Sequence, residues 1–242
     1  MDSVLKSQHV YRVFETISGN YDRANERISL GLQKSWKALL VNAISETAPL
    51  HTNLLDVCCG TGDIPLLTAQ KRPDIWSTGI DFSPAMLAEA QRKSSGMKHI
   101  VWKEANAMHL PFPDNTFASV CISFGLRNTP DYQQVLSEMK RVAAAGGSIY
   151  CLDSFIPDTI YVRGFYTLYF KYIMPFVGGG KKYRQEYRWL YTSTQEFLRK
   201  KELIALYERL GLTHITQTSR MFGACILVQG KKPEKTAKDL SV

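Results

Sequence analysis

Short apolar runs alternate with amphipathic helical segments through the middle of the chain. Five of these runs predict β-strands, over residues 53–58, 75–81, 99–102, 118–124 and 148–155. Helical periodicity over residues 84–93 and 132–142 separates neighbouring runs. Alternation of strands and helices is typical of a parallel sheet covered by helices on both faces, so the pattern predicts a doubly wound α/β fold.

The two ends of the chain follow other patterns. Residues 3–46 predict two helices around a polar turn at 20–25, and residues 159–209 predict an aromatic-rich helical insertion. Apolar runs at 213–218 and 224–230 predict a closing hairpin. Such a hairpin adds antiparallel pairing to an otherwise parallel sheet, which then has seven strands and is mostly parallel.

These segments predict a single domain over residues 1–232. Within it we expect four parts in chain order, which are an N-terminal helical cover at 1–50, a cofactor-binding core at 51–157, a helical insertion or lid at 158–210, and the closing hairpin at 211–232. Residues 233–242 are expected to form a flexible tail.

Composition supports a folded protein and argues against several other classes. A hydrophobic fraction of 45% in 242 residues is enough to bury a core. The net charge of +8 permits attraction to anionic surfaces, but the basic residues are scattered and no motif for a flipped base is present, so we expect no nucleic-acid partner. No apolar stretch is long enough to span a bilayer and no signal peptide is recognisable, so we expect a cytoplasmic protein.

Cysteine and histidine usage argues against metal binding. The five cysteines include no CxxC pair and mostly fall within apolar runs, which favours small core residues in a reducing compartment. The five histidines are dispersed and none shows the paired spacing of a zinc site. We therefore expect no metal.

The first strand leads into a glycine-containing turn that carries the first candidate chemistry. Asp56 is followed by Gly60, Thr61 and Gly62, and two glycines allow the backbone to turn sharply and approach a ligand at a helix N-terminus. A dinucleotide fingerprint continues to a third glycine, but this chain has Pro65 there, which suits the first turn of a helix. A plain tight turn is the alternative reading.

Asp81 ends the second strand and is placed to bind a ribose. A carboxylate there can accept hydrogen bonds from both ribose hydroxyls. Asp81 can instead cap the next helix, a role for which Ser83 is an equally good candidate. Because nicotinamide dinucleotides and S-adenosylmethionine both contain an adenosine ribose, Asp81 alone does not separate the two.

Residues after the third and fourth strands separate these two cofactors. The stretches that carry a resemblance are Asn20-Tyr21-Asp22 with Asn25, Ser29-Leu30-Gly31 with Trp36-Lys37, residues 55–63, residues 110–117, residues 122–128, and Tyr187-Arg188-Trp189-Leu190. Over residues 10–230 the chain resembles the quinone-biosynthesis C-methyltransferases, which make menaquinone from demethylmenaquinone and act at the corresponding step of ubiquinone synthesis. The resemblance implies a Rossmann-like class I methyltransferase fold and S-adenosylmethionine as the cofactor.

The same resemblance implies roles for individual residues. Its cofactor-binding positions are Asp56, Gly60, Thr61, Gly62, Asp81, Phe82, Asn106, Ala107 and Ser123. Asn106 can address the adenine edge, and Asp56 or Asp63 can bind the cofactor's ammonium group. Its substrate-binding positions are Asn25, Phe124, Asn128, Tyr187 and Arg188.

Methylation of a hydroquinone carbon requires an electron-rich, phenolate-like ring, which a nearby cation favours. Arg127 is the first candidate for that cation, as an electrostatic stabiliser that also orders a water molecule, because arginine is not a base at neutral pH. An ion pair at a strand end is its alternative role. Tyr21 is the second candidate catalytic residue, expected to cover the site and position the substrate together with Asn25.

The resemblance also implies a prenylated quinol as the small-molecule acceptor. The aromatic stretch 161–177 can form a lid that touches the isoprenoid tail or the inner face of the membrane, or it can be ordinary helix packing. A homodimer is a further expectation.

Three stretches depart from the family pattern, namely residues 143–147, 152–157 and 197–198. They lie on the acceptor side and leave open a methyltransferase of a secondary metabolite or other small molecule, acting on carbon, oxygen or nitrogen. A nicotinamide-dependent oxidoreductase and a non-catalytic binding module are the remaining alternatives.

Overall fold

A computed structural model describes residues 3–17, 19, 21–29, 31–157, 159–169, 172 and 184–234. Its β-strands are β1 (Asn53–Val57), β2 (Trp76–Asp81), β3 (Ile100–Glu104), β4 (Phe117–Ser123), β5 (Ala143–Ser154), β6 (Thr213–Arg220) and β7 (Cys225–Lys231). Its α-helices are α1 (Ser3–Ile17), α2 (Tyr21–Ile28), α3 (Leu32–Thr47), α4 (Asp63–Lys71), α5 (Pro84–Lys93), α6 (Tyr132–Val142), α7 (Ile160–Leu168), α8 (Arg184–Glu196) and α9 (Lys200–Arg209).

The seven strands form one sheet in the order β3-β2-β1-β4-β5-β7-β6. Strands β1 to β5 pair in parallel, whereas β7 pairs antiparallel with both β5 and β6. The order reverses between β1 and β4, which creates a crevice at the carboxyl ends of these strands. The predicted doubly wound, mostly parallel fold with a closing hairpin is confirmed.

Strand alternation distributes the core over both faces of the sheet. In β4, Val120 and Ile122 pack on one face in a cluster that includes side chains of α6 and α9, while Cys121 packs on the other in a cluster that includes α3. Helix starts follow local signals, because Ser83 and Asp131 cap α5 and α6 by accepting hydrogen bonds from backbone N–H groups of the first turn. Within the described residues, no helix has the length and apolar character needed to cross a membrane.

The N-terminal region differs from the sequence prediction. Three helices, and not two, cover residues 3–47, and the expected polar turn at 20–25 coincides with the first residues of α2. Helices this short are marginal on their own and depend on tertiary contacts. Asp22 supplies such contacts through its hydrogen bonds to Thr61 and Lys93, which a purely local reading of polar residues does not detect.

Candidate active site

Two adjoining cavities lie at the carboxyl ends of β1, β2 and β4. The large cavity, with its mouth, holds about 970 Å³ of empty space, and the small cavity about 360 Å³. Their walls have five residues in common, namely Tyr21, Cys58, Gly60, Ser123 and Phe124. A ligand with two differently shaped ends can therefore extend from one cavity into the other across these residues.

The turn after β1 has a demanding backbone conformation. Cys58, Gly60 and Gly62 have φ angles of 56°, 55° and 82°, all in the left-handed region. At Gly62 a Cβ atom would lie only 2.3 Å from the Trp102 ring, which also covers Gly79 of β2. Gly62 is thus required both by its φ angle and by the close approach of the Trp102 ring.

Asp81 lies at the end of β2 with its carboxylate directed to the turn. Its two oxygens accept hydrogen bonds from the backbone N–H groups of Gly60, at 2.9 Å, and Ser83, at 3.0 Å. Burial raises the pKa of the Asp81 carboxyl to about 6, although these N–H groups oppose the shift. Ser83 is the N-cap of α5, so Asp81 is not needed for that role.

The two other acidic candidates differ in charge state. Asp56 is 1% exposed in the wall of the small cavity, and burial raises its pKa to about 8. Burial also acts to raise the pKa of Asp63, but the ammonium groups of Lys37 and Lys93 outweigh it and hold that pKa at about 2. Asp63 is therefore a paired carboxylate, whereas burial favours the neutral form of the Asp56 carboxyl.

The loops after β3 and β4 complete the cofactor side. Phe82, Asn106 and Ala107 line the large cavity, and the Asn106 side chain accepts a hydrogen bond from the Met108 N–H at 2.9 Å. The Ser123 hydroxyl is buried without a hydrogen-bond partner among the described residues. A buried unpaired hydroxyl in a cavity wall is a position where a ligand is expected to supply the missing partner.

Phe124 separates the cofactor side from the acceptor side. Its φ angle of 56° is unusual for a bulky residue. The ring borders both cavities and packs against Trp36 with 6.2 Å between ring centroids. The strained backbone places an aromatic wall where the two cavities meet.

Arg127 follows this wall in a short 3₁₀ turn (Leu126–Asn128) and is 7% exposed. Its guanidinium pairs with Asp153 of β5 at 2.5 Å and donates to the Phe124 carbonyl at 2.9 Å. Burial disfavours its charged form, but Asp153 outweighs burial and raises the Arg127 pKa. Arg127 does not line either cavity, so the structure shows the ion pair that was its alternative role, and its catalytic role stays a prediction.

Tyr21 and Asn25 lie one helical turn apart on α2. Tyr21 lines both cavities, and burial raises the pKa of its hydroxyl to about 12 against the opposing charge of Arg127. Asn25 is 8% exposed and is not part of either cavity wall. The Tyr21 ring packs edge-on against Phe14 of α1, and Phe14 and Val10 line the large cavity.

The remaining substrate candidates are only partly described. Asn128 lines the large cavity, donates to the Phe124 carbonyl at 3.3 Å and accepts from the Trp189 indole at 3.2 Å. Tyr187 and Arg188 belong to the same helix α8, but their side chains lie outside the described residues. The predicted residues of β1 to β4 thus converge on one site, and the roles of those on α8 stay predictions.

Several site residues carried no recognisable sequence signal. Lys93 and Glu15 reach the site from helices, and Glu15 accepts hydrogen bonds from the Ser83 hydroxyl and the Ala85 N–H. Met86 and Met108 add apolar wall. Trp102 is the exception among them, because the two glycines Gly62 and Gly79 in the sequence indicate that a large ring packs close to the backbone.

Solved structures with similar folds include methyltransferases. A SAM-dependent methyltransferase of Thermotoga maritima, described as a possible histamine N-methyltransferase, matches with a TM-score of 0.65 and 16% identity over 93% of this chain and 100% of its own. A SAM-dependent methyltransferase of Aquifex aeolicus matches with a TM-score of 0.57 and 18% identity over 78% of this chain and 87% of its own. These likenesses concern the fold. They show that this chain shares the class of fold that these methyltransferases have, with the glycine turn and Asp81 at the carboxyl ends of β1 and β2.

Sequence comparison identifies the family within that class. The model of the ubiE/COQ5 methyltransferase family matches residues 2–232, and the chain belongs to this family. Relatives named demethylmenaquinone methyltransferase include the protein of Anoxybacillus flavithermus, 42% identical over 95% of this chain and 98% of its own length. Another is the protein of Staphylococcus aureus, 38% identical over 98% of both chains. The protein is an S-adenosylmethionine-dependent methyltransferase, and the oxidoreductase alternative is excluded.

The residues at the site fit S-adenosylmethionine. Asp81 presents a carboxylate for the ribose at the edge of the large cavity, and the unpaired Ser123 hydroxyl lies where the two cavities meet. The Asp56 carboxyl and the Lys37–Asp63 ion pair line the small cavity, and they are polar groups of the kind that the ammonium and carboxylate of a methionine moiety require.

Proposed function

We propose that this protein methylates a ring carbon of a demethylmenaquinol-type acceptor in quinone biosynthesis. The observation that carries the proposal is the similarity of nearly the whole chain to relatives named for this reaction. The large cavity supports it, because its volume and its apolar lining suit a fused aromatic ring.

S-adenosylmethionine supplies a methyl group that its sulfonium already activates, so the protein has to align the acceptor and exclude water. The acceptor attacks as the ionised quinol. Its ring carbon would form a bond to the methyl carbon as the methyl–sulfur bond breaks, with the electron pair left on sulfur. Loss of the ring-carbon proton, which would pass to bulk solvent after methyl transfer, would restore the aromatic ring.

Tyr21 is the residue that we assign to the quinol oxygen. Because its pKa is about 12, the hydroxyl keeps its proton at neutral pH and can donate a hydrogen bond to a negatively charged oxygen. The guanidinium of Arg127 interacts electrostatically with Tyr21 from behind the cavity wall, and its positive charge favours the ionised quinol. Tyr21 is thus the candidate catalytic residue, and Arg127 acts through the field that it creates.

The walls of the large cavity favour a prenylated acceptor. Val10 and Phe14 of α1, Met86 of α5, and Met108 and Pro130 in the loops give a continuous apolar lining beyond the cofactor positions. An apolar channel of this kind can hold the first isoprenoid units while water is kept from the reacting atoms.

A prenylated acceptor is delivered from a membrane, and the protein has a surface suited to peripheral contact. Met221 and Phe222 form the tip of the β6–β7 hairpin and are 47% and 77% exposed. Arg220 precedes them and is exposed. Tyr161 on α7 is also exposed, and the chain carries a net charge of +8. Apolar tips beside basic residues favour an anionic bilayer surface.

The acceptor class is tested by comparing kcat/KM for demethylmenaquinol with a prenyl tail and for the same naphthoquinol without one, under reducing conditions. We expect the prenylated acceptor to be preferred by about tenfold or more, since each buried CH₂ group contributes about 0.8 kcal/mol. Preference for tail-free acceptors would contradict the proposal and favour a small-molecule pathway.

The homodimer also stays a prediction. Light scattering after size-exclusion chromatography measures the oligomeric state.

A further inference from the structure

Asp22 connects the cover helix α2 to the cofactor turn. Its carboxylate accepts one hydrogen bond from the Thr61 hydroxyl at 2.7 Å and another from the Lys93 ammonium at 2.9 Å. Lys93 also donates to Thr61 at 3.1 Å and pairs with Asp63 at 2.5 Å. We call Asp22, Thr61, Lys93 and Asp63 the α2 clasp, because they join α2, the turn, α4 and α5 at one point.

The Thr61 hydroxyl uses its hydrogen within the α2 clasp. It donates this hydrogen to Asp22 and accepts a hydrogen bond from Lys93. A hydroxyl has only one hydrogen to donate. The Thr61 side chain therefore serves the contact between α2 and the turn and has no hydrogen left to donate to the cofactor.

The charges in the α2 clasp persist over a wide pH range. Burial acts against both ions, but the Lys37 and Lys93 ammonium groups hold the pKa of Asp63 at about 2, and the pKa of Lys93 is raised by Asp63 and Asp22. The side chains of Lys93 and Asp22 are 19% and 39% exposed, so solvent screens the contact only in part. The clasp is a permanent electrostatic link at neutral pH.

The turn that the α2 clasp grips has a conformation that a ligand can favour. Thr61 lies between Gly60 and Gly62, whose φ angles are both positive, and Cys58 shares this feature. Glycine permits a wide range of φ angles, so a ligand that contacts the backbone of this turn favours the conformation that it binds. A change in the turn moves the Thr61 hydroxyl, and with it the point at which Asp22 is held.

A shift of Asp22 also moves Tyr21, because Tyr21 directly precedes Asp22 in α2. Tyr21 lines both cavities. We propose that the α2 clasp transmits occupancy of the cofactor turn to α2, so that Tyr21 is positioned for the acceptor only when the cofactor is bound. Asp22, Thr61 and Lys93 are then positioning residues. The link between the turn and α2 is independent of the acceptor, whereas its effect on Tyr21 during turnover rests on the proposed function.

Hydrogen exchange followed by mass spectrometry tests the link without any acceptor. In the wild-type protein, S-adenosylhomocysteine is expected to slow exchange of the α2 amides by about tenfold, because α2 opens locally less often. In Asp22→Asn, S-adenosylhomocysteine is expected to bind while the slowing falls below about twofold. Thr61→Val, which keeps the shape of the side chain, is expected to behave in the same way.

Glu26→Gln is the matched control, because Glu26 lies one turn further along α2 and, among the described residues, its carboxylate pairs with exposed Lys34. It is expected to keep the wild-type response. Equal protection of α2 by S-adenosylhomocysteine in wild type, Asp22→Asn and Thr61→Val would overturn the proposal. So would a failure of the wild-type α2 amides to respond.

Kinetics separate a positioning role from a direct one. Asp22→Asn is expected to lower kcat by about tenfold in the wild-type background and to have little further effect in Tyr21→Phe, because Asp22 acts through Tyr21. Equal losses in both backgrounds would show that Asp22 acts independently. If exchange responds as expected but no demethylquinol is methylated, the clasp stands and the proposed acceptor fails.

Discussion

Arg127 and Asp153 form an ion pair below the wall of the large cavity, with 2.5 Å between Nη1 and Oδ1 and with side chains that are 8% and 0% exposed. The Asp153 carboxylate also accepts hydrogen bonds from the backbone N–H groups of Arg127 and Ser154. The pair thus fixes the turn that carries Phe124 and Asn128 while holding a positive charge close to Tyr21. The stability of the fold and the proposed effect of charge on Tyr21 both depend on this ion pair. Two variants separate the two effects.

Arg127→Met leaves the Asp153 carboxylate buried without its partner, so we expect the free energy of unfolding to fall by about 3–5 kcal/mol. Replacing both residues, as in Arg127→Met with Asp153→Leu, removes the unpaired charge and is expected to restore part of that stability, because the backbone N–H groups of Arg127 and Ser154 lose their acceptor. The rate should not recover, because the field at Tyr21 is lost, and kcat is expected to stay about 10–100-fold below wild type. A stable double variant with the wild-type kcat would show that the pair is purely structural.

Asp81 should make cofactor affinity depend on pH. Its raised pKa of about 6 means that the carboxyl is protonated below that pH and accepts the ribose hydroxyls poorly. Binding of S-adenosylhomocysteine, measured by calorimetry between pH 5 and 8, is expected to tighten as pH rises through about 6. Asp81→Asn should remove this step and weaken binding by about 10–100-fold, since hydrogen bonds to charged groups contribute about 1.5–3 kcal/mol.

The same shift affects the stability of the cofactor-free protein. A carboxyl whose pKa is raised in the folded state contributes most to the free energy of unfolding below its ordinary pKa of about 4. This contribution is lost as pH rises through about 6. Glu89→Gln, which changes a surface carboxylate paired with Arg92, serves as the control and should leave the step near pH 6 unchanged in both profiles. A pH step that persists in Asp81→Asn would assign it to another group.

Gly62 and Gly31 form a matched pair for testing the glycine turn. Both have positive φ angles, of 82° and 78°, but only Gly62 faces the Trp102 ring, whereas a Cβ at Gly31 meets open space. Gly31→Ala is expected to lose about 1–2 kcal/mol from backbone strain alone. Gly62→Ala should lose more and should no longer bind S-adenosylhomocysteine. Equal losses of stability with intact binding in both variants would contradict the assigned role of the turn.

Membrane contact is tested on the hairpin tip. Replacing Met221 and Phe222 by serine should reduce co-sedimentation with phosphatidylglycerol vesicles by about tenfold, since it removes the apolar groups that enter the bilayer surface. Leu50→Ser is the control, because Leu50 is 75% exposed but precedes β1 at the opposite edge of the sheet. Unchanged vesicle binding in the hairpin variant would exclude the tip as the contact surface.

Local patterns in the sequence were sufficient to predict the sheet, whereas the cofactor-binding roles of individual residues stay predictions. The glycine turn and Asn106 follow strands, and Asp81 and Ser123 end strands, so the parallel strands bring all of them to one edge. The prediction of α2 as a turn was wrong, because its polar residues are satisfied by contacts far away in sequence. Asp22 and Thr61 are 39 positions apart in sequence, so no periodic pattern of residues connects them.

Partners of charged residues were equally hard to predict. Arg127 was recognised as a candidate, but its pairing with Asp153 depends on the adjacency of β4 and β5, which only the folded sheet provides. The same holds for Lys93, whose ammonium reaches Asp63 from the end of α5. Strand order fixes which loops meet, but side-chain pairing across helices requires the three-dimensional structure.

The central claim is that the methyl group goes to a ring carbon of a demethylmenaquinol-type acceptor. The most direct measurement uses S-adenosylmethionine with a ¹³C-labelled methyl group, chemically reduced demethylmenaquinone and the purified protein, followed by ¹³C NMR of the extracted product. We predict a single labelled methyl group bonded to a ring carbon, with loss of the ring proton at that position. A methyl group bonded to oxygen, or no labelled quinone after complete reduction of the acceptor, would contradict the account.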